Sequence, residues 1–148
     1  MIVLDGVTRT VTSGAGSLTI LHPTSFTVPD GQSVAITGAS GSGKSTLLGL
    51  VAGLDAPTAG RITIDGAEIT ALDEERLARL RGATIGIVFQ AFHLIPSLTA
   101  LENVMVPMEL AGGAAPRARA EALLADVGLT GRGHHYPSQL SGGEQQRV

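Results

Sequence analysis

The chain has no cysteine, no tryptophan and one lysine, Lys44; every other cation among its 148 residues is arginine or histidine. Without cysteine there are no disulfides and no thiolate metal sites, which fits a reducing compartment. Charged residues make up 16% of the sequence, against about 25% in ordinary globular chains. Much of the chain is therefore core or glycine loop. A net charge of −3 provides no basic footprint for nucleic acid. No apolar run approaches the ~20 residues of a membrane span, so a membrane role requires a partner that spans. No basic segment followed by an apolar stretch follows Met1, so no signal peptide is expected. No repeat recurs at a solenoid period, and the length suggests one domain.

What the chain does have is Gly38-Ala39-Ser40-Gly41-Ser42-Gly43-Lys44-Ser45-Thr46. This is the spacing G-x-x-x-x-G-K-[ST] of a phosphate-cradling loop. A triphosphate is polyanionic and needs many donors at short range. Glycines let the backbone curl around it, successive N–H groups form an anion nest, and the helix that follows adds a positive end. Lys44 can reach the β- and γ-phosphates, and the Ser45 hydroxyl can ligate Mg²⁺. The flanks agree. Ser33-Val34-Ala35-Ile36-Thr37 reads as a buried strand, and Leu47, Leu48, Leu50 and Val51 as one face of a helix ending near Gly53. A Gly/Ser-rich linker that matches by chance would lack both flanks.

Upstream, Ile2 to Val7 reads as a strand, Ser13 to Ser17 as a flexible loop, and Leu18–Leu21 and Ser25–Val28 as short strands separated by His22-Pro23. Pro29-Asp30-Gly31 and Pro57-Thr58-Ala59-Gly60 are turns. Arg61 to Ile64 alternates, and Asp65-Gly66 is a hairpin signal. Thr70 with Asp73 can cap a helix to about Arg81, closed by Gly82. Ile85 to Phe89 reads as a buried strand ending at Gln90. Beyond it the chain turns helical. Thr99 and Glu102 form a capping box, Pro107 should kink or break that helix, and Gly112-Gly113 end it. Pro116 opens the next helix and Gly128 closes it. Gly131 to Pro137 is loop. Ser141 and Glu144 form another capping box, and two glycines in its first turn weaken a helix unless something must approach its backbone. Bare glycine N–H groups there make an anion site.

Three motifs in this order resemble the nucleotide-binding domain of ATP-binding cassette (ABC) transporters: the phosphate loop at Gly38 to Thr46, a Q-loop glutamine at Gln90, and the signature Leu140-Ser141-Gly142-Gly143-Glu144. The run from Val88 to Val104 is similar to the branch of macrolide exporters and lipoprotein-releasing systems. The resemblance implies an α/β fold: a P-loop NTPase core of RecA-like type, an N-terminal antiparallel β subdomain and an α-helical subdomain, incomplete at the C-terminus. Residues 1–90 would form the β subdomain and phosphate-loop core, and residues 91–148 the helical subdomain up to the signature helix.

The resemblance also implies roles. Gly38, Ser40, Gly41, Ser42, Gly43, Lys44, Ser45 and Thr46 would hold ATP, with Ser45 and Gln90 at Mg²⁺. Gln90 would contact the metal or the attacking water and sense the membrane partner. Ser141, Gly142, Gly143 and Glu144 would close on ATP held by a second, identical subunit. The partners would be that subunit and a transmembrane permease, at the cytoplasmic face of the inner membrane, with no nucleic acid. Where the family usually stacks an aromatic on adenine, this chain has Val11. A stacked ring is worth ~1–3 kcal/mol per base, so looser base recognition is expected. The Walker B aspartate and catalytic glutamate of the family have no counterpart up to Val148, so this stretch alone is expected not to turn over ATP.

The implied function is an ABC-type ATPase subunit that couples ATP binding and hydrolysis to export or release through a permease. The alternatives are a non-transport ABC-type ATPase, such as a repair or translation factor, or a nucleotide-binding module without turnover. His93, Phe89 and Phe92 read as packing or partner-facing residues. Glu74 and Glu75 read as a charged helix face, and His134-His135 as solvated loop histidines rather than metal ligands.

Overall fold

The computed structural model describes residues 1–14 and 16–148, with the backbone alone at Ser13. The chain divides into two compact units, Met1–Ile87 and Val88–Val148.

The first unit is built on a four-stranded antiparallel sheet. Its strands are β1 (Ile2–Ser13), β2 (Gly16–Val28), β3 (Ala59–Ile64) and β4 (Ala67–Glu68), in the order β2-β1-β3-β4. β1 and β2 are each longer than their apolar runs suggest. Ser13 pairs with Gly16, and Val11 with Leu18. The segment expected as a flexible loop is thus mostly hairpin, although Ala15 lies outside the described residues. His22-Pro23 does not divide β2 into separate strands either. The ladder steps from Val7↔Thr24 to Arg9↔Leu21, an irregularity on an edge strand, where proline is tolerated. Asp65 and Gly66, both at positive φ (47° and 83°), make the β3–β4 hairpin their sequence calls for.

Packed with this sheet is α1 (Lys44–Val51), whose Leu47 and Leu50 are buried while Leu48 is 56% exposed. Leu48 is therefore not on the buried face. Leu50, Ile62 and Val7 are fully buried at the centre of this core. α2 (Glu74–Thr84) follows. Its cap is Asp73, whose side chain accepts from the Arg76 N–H at 2.8 Å; Thr70 instead sits in a one-turn 3₁₀ segment. Gly82 lies inside the helix rather than closing it. On its exposed face Glu75 pairs with Arg79 and Glu74 with Arg81.

Two expected strands do not form. Residues 33–37 and 85–89 join no ladder among the described residues. Ile36 and Ile85 reach the core, yet Val34, Val88 and Phe89 are 54%, 88% and 43% exposed. An apolar run predicts burial, but a strand also needs a neighbour whose N–H and C=O groups face it. The sheet that forms here is closed by β2 and β4, and neither run is hydrogen-bonded to it.

The second unit is helical: α3 (Ala100–Leu110), α4 (Pro116–Asp126) and α5 (Gly142–Arg147). Leu101, Ala120, Leu124 and Leu129 form its core. The Thr99–Glu102 capping box is complete. Pro107 neither breaks nor ends α3. It stands in the last turn, so only the hydrogen bond to residue 103 is forfeited. Gly112 and Gly128 follow α3 and α4 at positive φ (70° and 74°), as left-handed closing residues do.

Candidate nucleotide-binding site

The phosphate loop enters α1 through Gly43, which sits at φ 87° and caps the helix without a side chain. The first four N–H groups of any helix have no intrahelical acceptor, and Gly43 has no side chain with which to cap them. The loop closes through Ser42 N–H to the Ala39 carbonyl at 3.2 Å. Both ends of the curl are glycine at positive φ, and at Gly43 a Cβ would meet main chain. A Cβ on Gly38 would lie 2.8 Å from Ser42 Oγ, and one on Gly43 would lie 2.8 Å from the Ile20 carbonyl oxygen. Gly41, also at positive φ, faces open space.

Lys44 is half-buried and its ammonium is folded back onto the loop. Nζ donates to the carbonyls of Gly38 (2.9 Å) and Ala39 (2.7 Å) and lies 3.4 Å from Ser42 Oγ. The cation is thus held over the mouth of the loop by neutral acceptors, which a phosphate can replace with charged ones. Ser45 and Ser40 are exposed and Thr46 is half-buried. The residue set fits a magnesium-bound nucleoside triphosphate: backbone donors without Cβ atoms, one lysine, and a hydroxyl in the first helical turn.

Gln90 and the signature belong to the second unit. Gln90 is exposed. Immediately before it, the Phe89 carbonyl accepts from Gln146 Nε2 of α5 at 3.2 Å. A Cβ on Gly142 would meet the Phe92 ring at 3.9 Å. The segment around Gln90 therefore lies beside the helix that the signature opens. His93, at φ 53°, packs edge-on against Phe89 with ring centroids 4.8 Å apart.

The signature turn is held by a reciprocal cap. Ser141 N–H and Oγ both donate to Glu144 Oε2 at 2.8 Å, and Glu144 N–H donates to Ser141 Oγ at 3.3 Å. The other carboxylate oxygen, Oε1, accepts from Arg132 Nε at 2.9 Å. These contacts hold the Glu144 carboxyl below the usual range, chiefly through the Ser141 backbone and hydroxyl and then through Arg132. Gly142 and Gly143 are exposed.

Sequence reasoning misses Arg132, because no local rule pairs a loop arginine with a carboxylate twelve residues on. It also takes His135 for a solvated residue. His135 is half-buried, with Nδ1 enclosed and without a partner among the described residues and Nε2 3.4 Å from Arg132 Nη1.

A family model described as ABC transporter matches residues 21–148. The chain belongs to the ABC transporter family. Its relatives include the macrolide export ATP-binding/permease protein MacB 2 of Aeromonas hydrophila, 48% identical over 100% of this chain and 23% of that protein. Another is the lipoprotein-releasing system ATP-binding protein LolD of Anaeromyxobacter dehalogenans, 49% identical over 98% of this chain and 62% of that protein. Among solved structures, the dimeric ATP-binding cassette MJ0796, in a post-hydrolysis state bound to ADP and Pi, superposes with a TM-score of 0.92. It is 42% identical, over 99% of this chain and 66% of that one. The chain therefore spans about a quarter of the MacB relatives and somewhat under two thirds of LolD. The fold is that of an ABC-type P-loop ATPase. No helix among the described residues is long and apolar enough to cross a membrane.

Proposed function

We propose that this chain is the ATP-binding portion of an ABC transporter that couples ATP binding and hydrolysis to export or release of a substrate through a membrane permease. The observation that carries the reading is Lys44. It is the one lysine of an ABC-family chain, with its ammonium on the carbonyls of a loop whose last glycine, Gly43, leaves no room for a Cβ.

In this reading Gly38, Ser40, Gly41, Ser42, Gly43 and Thr46 line the polyphosphate. Lys44 exchanges its two carbonyl partners for phosphate oxygens. The Ser45 hydroxyl would hold Mg²⁺, which would neutralise phosphate charge and help align the groups for transfer. Gln90, beside the signature helix, reports occupancy to the permease. Ser141, Gly142 and Gly143, with Glu144 behind them, close on the γ-phosphate of ATP carried by a second copy. The dimeric state of MJ0796 and the permease named in the MacB relatives support the two partners. The cassette then works peripherally at the cytoplasmic face of the inner membrane.

The test is coupling. ATPase activity of the permease-bearing protein is measured in detergent and in lipid with transported substrate, for parent and Gln90→Ala. The expected result is unchanged ATP affinity and lost stimulation in the variant. Stimulation equal to the parent's would remove Gln90 from the coupling path, and hydrolysis indifferent to the permease in the parent itself would overturn the transport reading.

A further inference from the structure

We propose that Arg132 is a positioning residue for the signature turn, gripping Glu144 so that Ser141 and Gly142 are presented in one geometry, and that His135 in turn steadies Arg132. The proposal rests on the reading of Ser141 to Gly143 as the segment that closes on a second subunit's phosphate.

The carboxylate of Glu144 is divided between two tasks. Oε2 takes both the N–H and the hydroxyl of Ser141 at 2.8 Å, and Oε1 takes Arg132 Nε at 2.9 Å. The cap alone leaves the carboxylate free to rotate and exchange oxygens. With Arg132 on Oε1, the Ser141 hydroxyl proton stays on Oε2 and the orientation of Oγ is set. An exposed ion pair usually contributes little, but the Glu144 side chain is only 19% exposed and both its oxygens are engaged.

Arg132 is tied to the core of its own unit. Its N–H donates to the Leu129 carbonyl at 2.9 Å, Leu129 is 1% exposed, and the Arg132 carbonyl accepts from the His135 N–H at 3.0 Å. The guanidinium, on a side chain 49% exposed, is restrained at its far side by His135. Nη1 can only donate, so Nε2 must accept, which puts the imidazole proton on the enclosed Nδ1. The neighbouring imidazole, His134, has its ring centroid 4.3 Å away.

Nuclear magnetic resonance on the 148-residue chain tests this, with amide and arginine Nε–Hε signals compared between the parent and each variant at one pH. His135→Gln should displace the Arg132 Nε–Hε signal together with the Ser141 and Glu144 amides, while His134→Gln should leave them in place, which separates the two imidazoles. Arg132→Gln should displace the Ser141 and Glu144 amides further. Arg132→Lys should restore their positions only partly, because an ammonium lacks the fork that spans Glu144 and His135. Ser141 and Glu144 amides that ignore both His135→Gln and Arg132→Gln would overturn the proposal. If Arg132→Gln does not fold, the His135→Gln comparison decides alone. The signature reading stands or falls separately, on whether Ser141→Ala weakens ATP-driven association of two copies. That result does not alter the shifts measured on one chain.

Discussion

A Cβ on Gly43 would stand 2.8 Å from the carbonyl oxygen of Ile20, so the phosphate loop and β2 touch at a point where only glycine fits. The same residue is at φ 87° and begins α1. Gly43→Ala should therefore incur both a left-handed backbone penalty of ~1–2 kcal/mol and a clash with main chain that cannot swing aside. Gly41→Ala, at φ 79° in open space, should incur only the first. Urea unfolding is expected to place Gly43→Ala clearly below Gly41→Ala. Equal losses would mean that the Gly43–Ile20 approach is not a constraint.

The cap of α2 gives a second comparison. Asp73 accepts a 2.8 Å bond from Arg76, whereas Thr70 Oγ1 makes only contacts of 3.4 Å and 3.3 Å, with Ile62 N–H and Glu68. Asp73→Ala should destabilise by about 1 kcal/mol, as helix-cap losses do, and Thr70→Ala by less. Thermal unfolding of the two variants checks the order.

Acid sensitivity follows from the two capping boxes. Glu102 and Glu144 are both held below the ordinary glutamate range by hydrogen bonds, from Thr99 and from Ser141 respectively. A carboxyl whose folded value is depressed contributes stability above its unfolded value and loses it as pH falls through the folded one. The chain should therefore lose stability as the pH drops below about 4.3, the unfolded glutamate value. In Glu102→Gln/Glu144→Gln the acid limb should be flatter. Chemical denaturation at stepped pH measures it. A double variant with the parent's acid slope would show that these caps do not carry the dependence.

What the sequence reveals is what is local. The phosphate loop, both capping boxes and the Asp65-Gly66 hairpin are each specified within a few residues, by glycines that need positive φ or by side chains that reach three positions along. The same locality explains the misses. Val34 and Val88 look like strand residues because they are apolar, but strand formation depends on a partner elsewhere in the chain, and composition cannot supply one. Pro23 looks like a boundary because it cannot donate, yet on an edge strand at a ladder irregularity no donation is asked of it. Arg132 and His135 read as loop because their partners, Glu144 and the enclosed space around Nδ1, are set by the fold of the helical unit.

The central claim is that the loop from Gly38 to Thr46 binds a nucleoside triphosphate through Lys44. A fluorescent ATP analogue titrated into the parent and into Lys44→Ala tests it most directly. Hydrogen bonds to charged groups are worth ~1.5–3 kcal/mol each, so the variant should bind at least about tenfold more weakly while its far-ultraviolet circular dichroism stays that of the parent. Equal affinity in the two proteins would contradict the assignment of this loop.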